Sequence, residues 1–190
     1  QKITIKVIKE QFNTVLILYA QSRLAESKGK EMTLTKTKIE YLDFCWNFYP
    51  GCFHQQQGIC PIKDCWAKGR AIRFNKGDFT PRFIPEKLLD PLRRSKKPRT
   101  IGVCFTGDLF GDWVDPGVTV TVNDGYGDSH ASLLYWVKHT IRECHTDTFV
   151  FLTKRPDRLK PWSPFPGNCA VGVTVCNGKM LCLAVCELAK

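Results

Sequence analysis

Thr100–Asp108 reads TIGVCFTGD, Thr148–Arg155 reads TFVFLTKR and Ala170–Asn177 reads AVGVTVCN. Each run is apolar at successive positions rather than alternate ones, and each turns polar at its C-terminal end. A strand with apolar residues on both faces has to be covered on both, which is the condition of parallel strands lying between helices. Between the first two runs, ASLLYWVKHTIREC (131–144) places Leu133, Leu134, Val137 and Ile141 at helical spacing, one apolar face suited to lie on such a sheet. Alternating strand and helix predict an α/β fold, either an open doubly wound sheet or part of a barrel. In both, ligands bind beyond the carboxyl ends of the strands. Thr106, Asp108, Thr153, Lys154, Thr174 and Asn177 occupy those ends, and Asp108, Thr153, Lys154 and Asn177 are taken as the candidate cofactor contacts.

Outward from this centre, KIEYLDF (38–44) predicts a short first strand and CWAKGRAIRF (65–74) a helix. IPEKLLDPL (84–92) predicts a helical turn or two bounded by prolines, since Pro fits a first turn and discourages continuation. VTVTV (118–122) alternates like a strand and runs into the turn-rich NDGYGDS (123–129), an excursion between a strand and the following helix. Residues 1–37 read as an N-terminal extension, with Met32 as an alternative start to Gln1, and residues 38–190 as the domain. The terminal GKMLCLAVCELAK (178–190) is an apolar helix with Met180, Leu181, Ala184, Val185 and Leu188 on one face.

A chain of 190 residues with 43% hydrophobic content can build a core without covalent staples. Its ten cysteines are therefore not needed as scaffolding. The longest early apolar run, VLILYA (15–20), is too short for a secretory or membrane segment. A cytoplasmic protein with reduced thiols and no membrane is expected, where clustered cysteines point to metal or catalysis. Cys52, Cys60 and Cys65 form that cluster, on a loop after the first predicted strand, with seven and four residues between them. Three readings stand side by side. Three thiolates can hold three irons of a four-iron cluster and leave the fourth open; a closed zinc site would take Cys45 or His54 as a fourth ligand; or the thiols carry no metal. Cys104, Cys169, Cys182 and Cys186 are read as packing, and His130, His139 and His145 receive no role.

The formal charge of +10 is concentrated. Between Lys68 and Arg99 stand eleven Lys and Arg against three acidic residues, with Phe74, Phe79 and Phe83 interleaved. Such a segment suits nucleic acid or another phosphate-bearing partner; a solvated connector is the plainer reading.

Longer stretches carry a family resemblance: KIEYLDFCWNFYPGC with CWAKGRA, FTPRFIPEKLLDPLRRSKKPRTIGVCFTGDLFGDWV, TFVFLTKRPDRL and NCAVGVTVCN, together spanning about residues 38–178. In order, they resemble the radical-SAM-like family of phage and prophage proteins of unknown function. The matching positions are Trp46 and Asn47, Gly51 and Cys52, Cys60 and Cys65 followed by Trp66, Asp108 to Phe110, and Leu152 to Pro156. The resemblance implies a partial TIM-type (β/α) barrel; the span of about 150 residues from Lys38 against about 250 for a complete barrel, with the apolar face of the terminal helix, leads to the expectation of a C-terminal truncation that oligomerises or aggregates. The resemblance also implies a 4Fe-4S cluster on Cys52, Cys60 and Cys65, with S-adenosyl-L-methionine on the open iron and radical chemistry on an unknown substrate. The four-residue gap between Cys60 and Cys65 departs from the two residues usual in that chemistry. The alternative is a zinc-stabilised nucleic-acid-binding module, without catalysis, that uses the same cysteines and the basic segment 68–99.

Overall fold

The computed structural model describes residues 34–74, 76–93, 95–123 and 127–188. The chain divides into a unit of residues 1–32 and a unit of residues 33–190, and the described residues all belong to the second. The readings of Gln1 and Met32 as starts, most of the extension 1–37 and the cation Arg94 lie outside the described residues.

The central sheet contains β1 (Thr35–Lys36), β2 (Phe44–Trp46), β3 (Thr100–Val103), β6 (Thr148–Thr153) and β7 (Cys169–Val173), in that spatial order. The last four run parallel, whereas β1 pairs antiparallel with β2. This corrects the expected TIM-type barrel: among the described residues the strands form an open, mixed, five-stranded sheet. A barrel requires its two edge strands to pair with each other. Here one edge is a two-residue antiparallel strand and the other is β7, so the sheet ends at both sides.

The predicted first strand also moves. Residues 38–43 form a turn in which Leu42 N donates to Ile39 O (3.0 Å), and the strand begins at Phe44. β4 (Thr119–Asn123) and β5 (Asp128–Ser132) form a separate antiparallel pair between β3 and the following helix, which is where the alternating VTVTV placed an excursion. Among the described residues three α-helices follow the apolar patterns: α1 (Trp66–Phe74), α2 (Leu133–Glu143) and α3 (Gly178–Leu188). Ser132 caps α2 by accepting from Tyr135 N at 3.1 Å, satisfying one amide that a first turn leaves without a partner.

The registers Trp46↔Val103, Ile101↔Phe149 and Phe151↔Val171 place Trp46, Ile101, Val103, Phe149 and Phe151 on one face of the sheet. They join Leu133, Trp136, Val137 and Ile141 of α2 in a single core. The other face is lighter. It carries Gly102, Val150, Leu152, Ala170 and Gly172, of which Leu152 and Ala170 are exposed. A Cβ at Gly102 would meet Leu42 Cδ1 at 2.7 Å, so there the loop before β2 covers the sheet through the missing side chain.

Two polar clamps set the registry. Arg99, one residue before β3, donates from N and Nε to Asp147, one residue before β6, at 2.9 and 3.0 Å, and its Nη2 bonds Pro91 O at 2.7 Å. Both side chains are buried. Arg99 is thus withdrawn from the basic segment into the fold, where a paired and fully bonded charge is tolerated. Asn168 Nδ2 lies within 3.0–3.2 Å of the carbonyls of Ile141, Cys144 and Asp147, tying the end of α2 to the start of β7.

Burial raises the thiols of Cys52 and Cys169 to about 11 and that of Cys144 to about 12, and it raises Cys45 and Cys104 as well. A folded thiol that holds its proton while the unfolded one loses it makes the native state the better proton binder above about pH 8.5, so stability falls with rising pH. The urea midpoint should be level below about pH 8 and drop steadily toward about pH 11, with a shallower drop in Cys144→Ala. A midpoint that holds or rises through this window would show the thiols to be solvated.

Candidate functional site at the ends of the parallel strands

β3 stops at Val103 because Cys104 takes a left-handed backbone, φ 54°, a conformation that costs a non-glycine residue about 1 kcal/mol or more. The bend is held by Cys104 N donating to Trp46 O (2.8 Å) and Gly107 N to Cys104 O (2.9 Å). It delivers Asp108 over the end of the sheet. There the carboxylate is 4% exposed and collects five contacts. Oδ1 accepts from Thr153 Oγ1 (2.9 Å) and Phe110 N (3.0 Å). Oδ2 meets His54 Nε2 (2.9 Å), Thr153 Oγ1 (3.0 Å) and Lys154 N (3.1 Å). A carboxylate offers about four lone-pair sites, so protein donors fill it.

Two of the candidate contacts, Asp108 and Thr153, are therefore bonded to each other, and Lys154 joins them through its backbone. Asn177 stands apart: it is exposed and its Oδ1 accepts from Met180 N at 2.9 Å, within the first turn of α3. Thr174 N bonds Thr153 O at 2.7 Å and continues the β6–β7 pairing.

The cysteine loop is seated on this carboxylate through His54, which is 1% exposed. His54 packs against Trp113, ring centroids 4.9 Å apart. Its carbonyl accepts from Ile59 N and Cys60 N (2.9 and 3.0 Å) and its amide donates to Cys52 Sγ at 3.4 Å. One residue thus touches Asp108 with its side chain and both Cys52 and Cys60 with its backbone. His54 Nδ1, Trp113 Nε1 and Thr106 Oγ1 are buried without a hydrogen-bond partner.

Cys52 is half-buried. Desolvation is the main cause of its raised pKa; the His54 amide and the Lys154 cation lower it, while Asp108 and Cys60 raise it further. Cys65 precedes α1 and its carbonyl accepts from Gly69 N (2.9 Å). All three loop cysteines are partly accessible and none is in a disulfide. Among the described residues no group of three or more His, Cys, Asp or Glu gathers around a single metal-ion position. Both residues weighed as a fourth zinc ligand have other work, Cys45 buried in β2 beside Thr37 and His54 on Asp108.

Glycines permit the close approach. Gly51 bridges Gly107 in parallel fashion, with Gly51 N donating to Thr106 O at 3.1 Å. Gly51 has φ 95°, and a Cβ there would meet Pro81 N at 2.6 Å; one at Gly107 would meet Gly51 O at 2.6 Å. Asn47 Oδ1 accepts from Thr106 N (3.2 Å) beside them.

The family model described as "Protein of unknown function (DUF5131)" matches residues 36–190. The chain belongs to that family. No curated protein and no solved structure matches it. The resemblance to a radical-SAM-like phage family is corrected by this result: the matching family carries no assigned function, and nothing in the match indicates radical-SAM chemistry. The expectation of no membrane stands in a narrower form, since among the described residues no helix is long and apolar enough to cross one.

His54 was visible in the sequence only as a spare zinc ligand. Its pairing with Asp108 joins residues 54 apart, and no local pattern signals it. Gly51→Ala should destabilise the protein by about 1–3 kcal/mol, because it imposes both a left-handed backbone and a backbone clash. Gly58→Ala, at φ 68° but with open space around its Cβ, should cost less. Equal urea midpoints for the two variants would contradict the close seating of the loop.

Proposed function

We propose that this protein is an iron–sulfur protein in which Cys52, Cys60 and Cys65 bind three irons of a 4Fe-4S cluster, with S-adenosyl-L-methionine as the ligand of the fourth. The observation that supports this reading is the common seating of Cys52 and Cys60 by the backbone of His54, at the carboxyl ends of parallel strands. The donor set fits the group. Each thiolate of such a cluster binds a different iron, so the sulfurs need not meet at one point as they must around zinc. An amide already directed at Cys52 Sγ is the kind of donor that tunes a cluster. A reducing compartment is the setting this chemistry needs.

When bound, the cluster supplies one-electron chemistry and an open coordination position. The chain's part is to hold the loop and limit water. Asp108 fixes the His54 ring, Trp113 and Phe53 wall the site (ring centroids 5.5 Å apart), and the charge of Lys154 favours the Cys52 thiolate.

Anaerobic reconstitution with iron and sulfide should give about four irons per chain and broad visible absorption. Cys52→Ala, Cys60→Ala and Cys65→Ala should each lose most of it, and Cys176→Ala, an exposed thiol outside the loop, should keep it. Because Cys52 holds its proton to about pH 11, loading releases a proton and should improve from about pH 7 to about pH 9. Added S-adenosyl-L-methionine should alter the paramagnetic resonance spectrum of the reduced cluster. Zinc without iron after equal exposure to both, or loading unchanged in the three loop variants, would overturn the assignment.

A further inference from the structure

A cavity of about 180 Å³ opens on the α1 side of the β2 and β3 ends. Its wall includes Asn47, Arg70, Arg82, Lys87 and Thr106, with Asp78 as its only acidic residue. From this cavity we infer a binding site for a phosphate group, distinct from the cysteine loop.

Position, charge and an unmet donor lead to this assignment together. The cavity lies beyond the carboxyl ends of two parallel strands, the place where open α/β sheets bind ligands. Three of its side chains are cations, and guanidinium forks match the oxygens of a phosphate. Thr106 lines the same space, and its Oγ1 is buried behind that wall without a partner; an unsatisfied buried hydroxyl costs stability unless something answers it. The volume is below the roughly 300 Å³ at which drug-sized pockets begin, so it admits a phosphate group and leaves the remainder of any ester outside.

The cations are also held in place. Arg82 N donates to Pro50 O (3.0 Å) and Ile84 N to Phe48 O (2.8 Å), laying residues 82–84 along the chain that follows β2. Lys87 O accepts from the Trp46 indole at 2.7 Å, so the segment bearing Lys87 is anchored in the core. Asp78 Oδ1 accepts from Thr80 N (2.9 Å), and its charge is also favoured by the Arg82 cation. Arg82 and Lys87 are therefore presented by rigid backbone.

The test is calorimetric titration of the full chain with inorganic phosphate and with adenosine 5′-monophosphate, using adenosine as the uncharged control. Phosphate-bearing probes should bind and adenosine should not. Equal affinity for the two phosphates would identify the free ion as the ligand, and tighter binding of the nucleotide would identify an ester. Arg82→Gln and Lys87→Gln should each weaken binding by about tenfold or more, the worth of one charge-assisted hydrogen bond. Thr106→Val should weaken binding while leaving the thermal midpoint unchanged or higher, which separates ligand contact from a structural role. Absence of binding by both phosphates, affinities indifferent to Arg82 and Thr106, or binding of a single-stranded oligonucleotide without binding of the small phosphates would overturn the proposal.

Discussion

Five contacts converge on the Asp108 carboxylate, and they join the end of β6, the turn beyond β3 and the cysteine loop at one point. Thr153 and Lys154 end β6, Phe110 belongs to the turn beyond β3, and His54 belongs to the cysteine loop. Burying a carboxylate is costly unless its oxygens are satisfied, so the ends of β3 and β6 and the cysteine loop must be in place at once for Asp108 to be tolerated. That mutual requirement makes the rim of the sheet a fixed platform. The strained Cys104 and the left-handed Gly51 are the backbone conditions that let it close.

The opposite ends of the same strands are tied in a comparable way by Arg99 and Asp147. One buried ionic contact thus sits before β3 and β6, and one carboxylate network sits after them. Between the two, the registry of β3 on β6 is carried by Ile101, Phe149, Val103 and Phe151, whose burial supplies the hydrophobic stabilisation. A site built on such strands holds its geometry better than one built on loops alone. This matters for the cysteine loop, which has no regular secondary structure of its own between Cys52 and Cys65.

Much of this arrangement was legible in the residues. Continuous apolar runs marked β3, β6 and β7, helical spacing marked α2, and the polar residues closing those runs included Asp108, Thr153 and Lys154. Other features were not legible, for physical reasons. The barrel expectation failed because nothing in a strand's own composition says whether its sheet closes; that depends on edge pairing, here a two-residue antiparallel β1. Both faces of the strands were expected to be covered, yet Leu152 and Ala170 are exposed. Arg99 read as one cation among eleven, and only the tertiary fold shows it buried on Asp147. His54 and Trp113 gain their roles from contacts across more than fifty residues of chain, where periodicity carries no information.

The central claim is that Asp108 seats the cysteine loop through His54. A double-mutant cycle with Asp108→Asn, His54→Phe and the pair, measured by urea unfolding of the cluster-free chain, addresses it most directly. The predicted coupling is about 1–3 kcal/mol, as expected for buried groups in one network. Strictly additive losses would contradict it, leaving His54 as packing and the loop without its anchor.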